Sequence, residues 1–320
     1  MLSLSKRLIK YFCKKGVMRA VTVGIPAYNE EKNIASLLKS IEGQQGSLIK
    51  EVIISDDSSD GTAGAVRRFS KNSRLDIVHL HHRRRRGAAA AWNEIFARAA
   101  GDAIVLYDAD IVPRRDCTAR LAGALESASL CASNSQPVPT GGIAGRASAF
   151  ISRWLQSVRQ AGLSKYTAMG RGLAIDAAVA KKIAVPRDII AIDLYLQCKV
   201  IEMGLDVEYD DGAVVYFQPA SSMEDLASQV LRAVRGHCQL RDYVAKLGMD
   251  LPLSVALSRT ARAITSDPVG AASTAIGYAR IPYYKRRLAG TDSALWHTAK
   301  SSKSVDMRRL ANGSMSHTFL

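Results

Sequence analysis

The stretch that decides the fold is AVTVGIPAYNEEKNIASLL, residues 20–38. Val21–Ile25 is a β-branched apolar run typical of a buried strand. Apolar residues then recur at helical spacing from Ile34 to Ile41, and the polar turn Pro26–Glu30 lies between the two patterns. A strand that leads into an amphipathic helix is the repeating unit of α/β folds.

The same unit repeats along the first half of the chain. Further strands are predicted at 51–55, 76–80 and 103–107, and helices near 62–70 and 87–100. This alternation predicts a Rossmann-like, mostly parallel sheet with helices on both faces. Ligands of such sheets bind beyond the carboxyl ends of the strands, so the residues just after each strand are the candidates for function.

Composition and charge narrow the class of protein. A length of 320 residues with 48% apolar and 23% charged residues is typical of a globular chain, not of a disordered, collagen-like or coiled-coil one. The net charge of +15 lies at the ends, because residues 1–20 carry six basic and no acidic side chains and residues 251–320 carry ten basic and three acidic ones. Residues 21–250 hold 28 basic against 26 acidic groups. No nucleic-acid partner is therefore expected, and an anionic membrane surface is a candidate partner.

The cysteines and the apolar runs indicate in which part of the cell the protein works. The five cysteines include no close pair of the kind that forms a disulfide framework or a zinc site. No run of about 20 uncharged apolar residues occurs. We expect a cytoplasmic chain, with its basic ends attaching peripherally to the inner face of the cell membrane.

Acidic side chains follow two of the predicted strands. The second strand ends in Asp56-Asp57-Ser-Ser-Asp-Gly-Thr62, and the fourth ends in Asp108-Ala-Asp110. Residues i and i+2 of an extended segment point the same way, so Asp108 and Asp110 would converge on one ligand. Carboxylates combined with substrate phosphates are a typical Mg²⁺ or Mn²⁺ site.

With these residues in place, residues 20 to about 240 resemble the inverting nucleotide-sugar transferases of glycosyltransferase family 2, whose catalytic domain has the GT-A fold. Seven motifs occur in the family's order, and together they are specific although each alone is weak. The motifs are VGIPAYNEE (23–31), DDSSDGT (56–62), RGAAAAWN (86–93), AGDAIVLYDAD (100–110), GRGLAI (170–175), IDLYL (192–196) and Q-x-x-R-x-x-R-G (229–236).

The resemblance implies a donor site and a metal ligand. Pro26, Ala27, Tyr28, Glu30 and Asp57 would hold the base and ribose. The metal ligand would be Asp110, with Mn²⁺ or Mg²⁺ as the cofactor. The remaining implied donor-binding residues are Arg86, Asn93, Asp108, Ala109, Arg171, Gln229, Arg232 and Arg235.

The resemblance also implies a catalytic base, Asp193, at the start of a helix. The family's preceding Glu is replaced here by Ile192, and Asp188 is an alternative base five residues upstream. A helix N-terminus favours an ionised carboxylate. A single displacement, which inverts the anomeric centre, is expected because no second, nucleophilic carboxylate is evident.

The implied activity is non-processive transfer of a sugar from a UDP- or GDP-linked donor to a hydroxyl acceptor. Processive members continue the 229–236 motif with Trp, where Ala233 stands here. A lipid-linked or cell-surface glycan precursor is a candidate acceptor, which would place the enzyme in polysaccharide or glycolipid synthesis. The alternative, a nucleotidyltransferase that makes a sugar nucleotide, would normally carry a glycine-rich basic loop in place of Pro26–Asn29.

Three further expectations complete the analysis. The arginine run 83–86 is interpreted as a solvated loop with one diphosphate contact, with RNA binding as the weaker alternative. The histidines, including His79, His81 and His82, show no metal-ligand spacing. Three segments are predicted: a basic amphipathic segment at 1–19, the GT-A domain at 20–247, and a basic, mainly helical extension with a flexible tail at 248–320.

Overall fold

The computed structural model describes residues 19–167 and 170–287. Nearly all of the amphipathic segment predicted at 1–19 lies outside these residues, as do residues 288–320 of the extension predicted at 248–320. The predicted segment boundaries therefore stay predictions.

One eight-stranded sheet forms the centre of the molecule, with strand order β3-β2-β1-β4-β7-β6-β8-β5. The strands are β1 (Ala20–Ala27), β2 (Leu48–Asp56), β3 (Ile77–His81), β4 (Ala103–Tyr107), β5 (Ile111–Pro113), β6 (Leu130–Pro137), β7 (Gly172–Asp176) and β8 (Val207–Phe217). The helices are α1 (Ile34–Glu42), α2 (Thr62–Ser70), α3 (Ala88–Arg98), α4 (Cys117–Ala124), α5 (Gly142–Gln160), α6 (Ala177–Ala180), α7 (Ile192–Glu202), α8 (Met223–Gln239), α9 (Arg241–Lys246), α10 (Leu253–Ser266) and α11 (Pro268–Arg287).

The sheet has a parallel half and a mixed half. Strands β3, β2, β1 and β4 are all parallel, as the repeated strand–helix units predict. Strand β7 runs antiparallel to both β4 and β6, and β5 runs antiparallel to β8. The antiparallel insertion of β7 pairs Tyr107 with Gly172, so the residues after β4 and before β7 lie next to each other.

Helices cover both faces of the sheet, which confirms the predicted layers. One face buries the apolar stripes of α1, α2 and α4, and α4 packs mainly against β8, β4 and β6. The other face buries α3, α6 and α7. Gly24 lets α3 approach β1 closely, because a Cβ built there would lie 2.5 Å from Ile95 Cγ2.

The C-terminal helices pack against the body beside the mixed half of the sheet. Apolar residues of α5 and α8, including Ala147 and Leu226, form a third, smaller core cluster. The backbone of α11 comes close to this cluster at Gly277, where a Cβ would lie 3.1 Å from Leu226 Cδ2. None of the helices in the described part of the chain combines the length and apolar character needed to cross a bilayer.

Candidate active site

A cavity of about 500 Å³ opens where β1 and β4 end. Its floor is formed by the segments that follow these two strands, and its walls by α5, α8 and the first turn of α7. Ten of the fifteen predicted site residues line it: Pro26, Tyr28, Glu30, Asp108, Ala109, Asp110, Arg171, Asp193, Gln229 and Arg232.

The other five predicted residues lie outside this lining. Ala27 is buried at the end of β1, where its carbonyl accepts a hydrogen bond from the Asp57 N–H at 3.0 Å. The Asn93 amide contacts the backbone of Val185 at both ends, at 2.8 and 2.9 Å. Arg235 lies on α8, three residues beyond Arg232. Asp57 and Arg86 contact each other, as described below.

Asp108, Asp110 and Arg171 form a charged cluster on the cavity floor. The Asp108 N–H donates to the Arg171 carbonyl at 3.1 Å, as the pairing of β4 with β7 requires. The Arg171 guanidinium lies 3.4 Å from Asp110 Oδ1 and 3.9 Å from Asp108 Oδ2. Burial, and then the negative charge of Asp110, raise the pKa of Asp108 to about 7, against smaller opposing effects of Arg171 and Arg232.

This donor set fits a hard divalent cation. Two carboxylates line the floor at positions i and i+2, and repulsion from Asp110 adds to the effect of burial in raising the pKa of Asp108. A cation between them would relieve that repulsion, and carboxylate oxygens are ligands that Mg²⁺ and Mn²⁺ prefer. Asp110, with Asp108 beside it, would hold the ion.

Asp57 and Arg86 are bound to each other at the end of β2. Asp57 Oδ2 accepts hydrogen bonds from the backbone N–H groups of Arg86 and Gly87, at 2.6 and 3.0 Å. Asp57 Oδ1 accepts from Arg86 Nε at 3.1 Å. Gly87 has φ +87°, which lets both N–H groups point at one carboxylate. The pair therefore fixes the loop that leads into α3.

Asp193 lies in the first turn of α7, and its side chain lines the cavity. Asp193 Oδ2 accepts the Gly170 N–H at 3.1 Å. The alternative base, Asp188, is exposed and outside the cavity lining. The geometry thus brings Asp193, and not Asp188, to the same cavity as Asp108 and Asp110.

Comparison with known proteins tests the predicted family and fold. Residues 22–157 match the model of the family described as Glycosyl transferase family 2. The matched region is thus similar to glycosyltransferase family 2, the family that the sequence motifs resemble. The predicted family resemblance is confirmed, and of the two predicted enzyme classes the match favours the glycosyltransferase over the nucleotidyltransferase.

Relatives in this family match over limited lengths. A dolichol-phosphate mannosyltransferase of Pyrococcus furiosus is 30% identical over 122 residues, which is 38% of this chain and 34% of the relative. An undecaprenyl-phosphate 4-deoxy-4-formamido-L-arabinose transferase of Salmonella paratyphi A is 32% identical over 97 residues, 29% of this chain and 30% of the relative. The chain spans about a quarter to a third of the length of the curated relatives it matches.

A solved structure supports the fold. A mannosyltransferase of Pyrobaculum calidifontis, solved with GDP-Man and Mn²⁺, superposes with a TM-score of 0.55 at 22% identity, covering 92% of this chain and 91% of that one. The predicted GT-A fold with a helical C-terminal part is confirmed.

Sequence reasoning missed Glu94, which lies on α3 behind the Asp57–Arg86 pair. Glu94 Oε2 accepts from Arg86 at 2.7 Å, from Ser55 Oγ at 2.7 Å, and contacts His82 Nε2 at 2.9 Å. Burial alone would raise the pKa of Glu94, but these hydrogen bonds outweigh it and lower the pKa to about 2. Arg86 is therefore held between two ionised carboxylates. A single Glu in a helical pattern gives no sequence signal that it will bind a neighbouring arginine.

Arg159 on α5 is a second residue that the sequence did not single out. Its side chain is buried, lines the cavity, and donates from Nε to Thr167 Oγ1 at 3.0 Å. Burial lowers the pKa of this guanidinium, against a raising effect from the charge of Asp193. A buried cation near Asp193 marks the α5 side of the cavity as suited to an anionic group.

The arginine run places two of its members against predicted donor residues. Arg85 stacks over the Tyr28 ring at 3.9 Å from its centroid. Arg86 binds Asp57 and Glu94, while Arg83 and Arg84 are exposed. Arg85 thus packs beyond the end of β1 and Arg86 beyond the end of β2, and the predicted diphosphate contact stays a prediction.

Proposed function

We propose that this chain is an inverting, metal-dependent, non-processive glycosyltransferase that transfers a sugar from a UDP- or GDP-linked donor to a hydroxyl acceptor. The observation that carries the proposal is the convergence of Asp108, Asp110, Arg171 and Asp193 on one cavity. The family match supports the reaction class. The exposed Ala233, at the position of the processive motif's Trp, supports transfer of single sugars.

The donor would lie along the ends of β1 and β4. The Tyr28 ring, with Arg85 stacked on it, offers an apolar face for a base, and Asp108, which lines the same cavity, would face the ribose. The Pyrobaculum relative was solved with GDP-Man and Mn²⁺, which supports a sugar nucleotide and a divalent cation as ligands of this cavity.

Asp110 would hold the cation, with Asp108 beside it. When bound, the ion supplies Lewis-acid stabilisation of the departing diphosphate. Arg171 on the floor and Arg232 on the α8 wall would contribute fixed positive charge to the same leaving group. These guanidinium groups need no reorganisation as negative charge develops.

Asp193 would act as the general base. Its Oδ2 is oriented by the Gly170 N–H, which leaves Oδ1 to accept the acceptor hydroxyl. The hydroxyl proton passes to Asp193 as the oxygen bonds to the anomeric carbon. The bond from that carbon to the diphosphate breaks, its electron pair leaves with the nucleoside diphosphate, and the configuration inverts.

The C-terminal helices beside the cavity support a lipid-linked acceptor at a membrane surface. On α10, Leu253 and Leu257 expose 73% and 62% of their surface on a helix that also carries Arg259 and Arg262. Tyr278 of α11 is half exposed and also lines the cavity. Apolar and basic side chains together suit an anionic lipid surface. Two relatives are named for dolichol-phosphate and undecaprenyl-phosphate substrates.

The experiment measures release of nucleoside diphosphate by the purified full chain. A panel of UDP- and GDP-sugars is tested with Mn²⁺ or Mg²⁺ and with polyprenyl-phosphate and glycan acceptors, and NMR of the product reports the anomeric configuration. We expect Asp193→Asn to lower kcat at least ~100-fold without weakening donor binding. Asp110→Ala should abolish the activity measured with either metal ion.

Asp188→Asn is the matched control, because Asp188 lies five residues away and outside the cavity. We expect it to keep full activity. Unchanged turnover in Asp193→Asn, or loss in Asp188→Asn alone, would reassign the base, and a product that retains configuration would refute the single displacement.

A further inference from the structure

Two histidines and a buried aspartate converge on strands β2 and β3, outside the cavity lining. His79 Nε2 lies 2.9 Å and His81 Nδ1 lies 3.1 Å from the same atom, Asp56 Oδ2. The three ligand atoms lie within 4.8 Å of one another. Within residues 19–167 and 170–287, no other group of three or more His, Cys, Asp or Glu side chains meets this distance.

The register of the sheet explains why these residues meet. Asp56 and His81 are direct partners in the parallel pairing of β2 with β3. His79 precedes His81 by two residues, so both side chains point to the same face. Ile54 and Ile77, on that face, pack against the core that α2 covers. The sequence spacing of the histidines alone does not reveal the site, because the third ligand comes from the neighbouring strand.

The Asp56 side chain is held in one orientation by its surroundings. Its side chain is fully buried, and Oδ1 accepts the Ser58 N–H at 2.9 Å. Oδ2 is thereby aimed at the two imidazoles. The His79 side chain is 14% exposed and that of His81 is 37% exposed. One side of the group is therefore open to solvent, which gives an ion a path of entry.

Two imidazole nitrogens and one carboxylate oxygen are a typical donor set for Zn²⁺, which often keeps a fourth position for water. Tetrahedral bonds of about 2.0–2.2 Å would separate the ligand atoms by roughly 3.4 Å. The two observed distances to Asp56 Oδ2 are 2.9 and 3.1 Å, and the two nitrogens lie within 4.8 Å of each other, so side-chain movements of about 1 Å would give this geometry. We propose that Asp56, His79 and His81 bind one Zn²⁺-like transition-metal ion, distinct from the oxygen-ligated cation at Asp110.

An ion at this position would tie the edge strand β3 to β2. Through Asp56 and Ser58 it would also stiffen the loop that carries Asp57. Any resulting gain in donor affinity rests on the proposed function. Metal binding itself does not, because it is measured without a sugar nucleotide.

The test uses the full chain, freed of metal by a chelator and titrated with Co²⁺ as a spectroscopic substitute for Zn²⁺. We expect one equivalent of Co²⁺ with the intense visible bands of a low-coordinate site, displaced by Zn²⁺ and not by Mg²⁺. His81→Gln and His79→Gln should each weaken binding roughly 100-fold. Zn²⁺ should raise the melting temperature of the unmodified chain and not that of His81→Gln.

Two control variants separate this site from its neighbours. His82→Gln alters the next histidine, which contacts Glu94 on the opposite face of the sheet. Asp110→Asn alters the cation site in the cavity. Both should keep the Co²⁺ bands. The proposal fails if the unmodified chain shows no such bands, if they persist in both His79→Gln and His81→Gln, or if they disappear in Asp110→Asn.

Discussion

Replacement of Glu94 by Gln tests the network that holds Arg86. The substitution keeps the shape of the side chain and removes the charge that Arg86, Ser55 and His82 surround. Arg86 would then keep only Asp57 as an ionised partner. We expect the folded state to be destabilised, because the guanidinium is two-thirds buried and loses half of its neutralising charge.

The pKa of Glu94 sets the size of the effect. A decrease from 4.5 to about 2 corresponds to roughly 3.4 kcal/mol at ~1.36 kcal/mol per pKa unit. Because 15% of the side chain is exposed and solvent screens the charges, we expect about 2 kcal/mol at pH 7. A lowered folded-state pKa stabilises the protein above the unfolded-state pKa. The contribution is lost as the pH falls through the folded-state pKa, and half of it should be gone near pH ~3.3.

Urea denaturation of both proteins, at pH 7 and at decreasing pH while the chain still folds, measures this difference. Glu202→Gln is the matched control, because Glu202 pairs with Lys199 and Tyr243 at the exposed surface and should change nothing measurable. Equal stability of Glu94→Gln and the unmodified chain at pH 7 would refute the reasoning, as would a difference that stays constant down to pH 3.

Three further predictions concern single residues. Asn93→Ala should lower the free energy of unfolding by about 1–3 kcal/mol in urea titration and leave donor affinity unchanged, because both ends of the amide bind Val185; weakened donor binding with normal stability would contradict this. Arg159→Gln should raise the acceptor KM, and not the donor KM, in the transfer assay, since its cation lines the α5 side of the cavity. Leu257→Asp should reduce flotation with anionic liposomes while transfer to a water-soluble acceptor persists; undiminished flotation would argue against α10 as the contact.

The parallel half of the sheet could be predicted from the sequence. Strands predicted at 51–55 and 103–107 occur as Leu48–Asp56 and Ala103–Tyr107, because β-branched runs bounded by polar turns carry a local signal. The antiparallel insertion of β7 carries no such signal. Its pairing with β4 is a long-range contact, and that contact places Arg171 beside Asp108.

The sequence predicted the site residues that follow strands or begin a helix. It did not predict those that lie within helices or on a neighbouring strand. Asp108, Asp110 and Asp193 follow local rules for strand ends and helix starts, and all three line the cavity. Glu94 and Arg159 lie on helices whose polar positions look like solvent-exposed surface in the sequence. Their burial depends on what packs against α3 and α5, which local patterns do not contain.

The charges that line the cavity argue for a cation with the donor. Of the described residues, four acids and three arginines line it: Glu30, Asp108, Asp110, Asp193, Arg159, Arg171 and Arg232. A nucleoside diphosphate would add negative charge to a lining that already has no positive excess. Arg86 cannot supply the missing positive charge, because Asp57 and Glu94 already neutralise its guanidinium. A divalent ion at Asp110 would restore the balance, so the proposed binding of a diphosphate depends on that ion and not on the basic character of the chain as a whole.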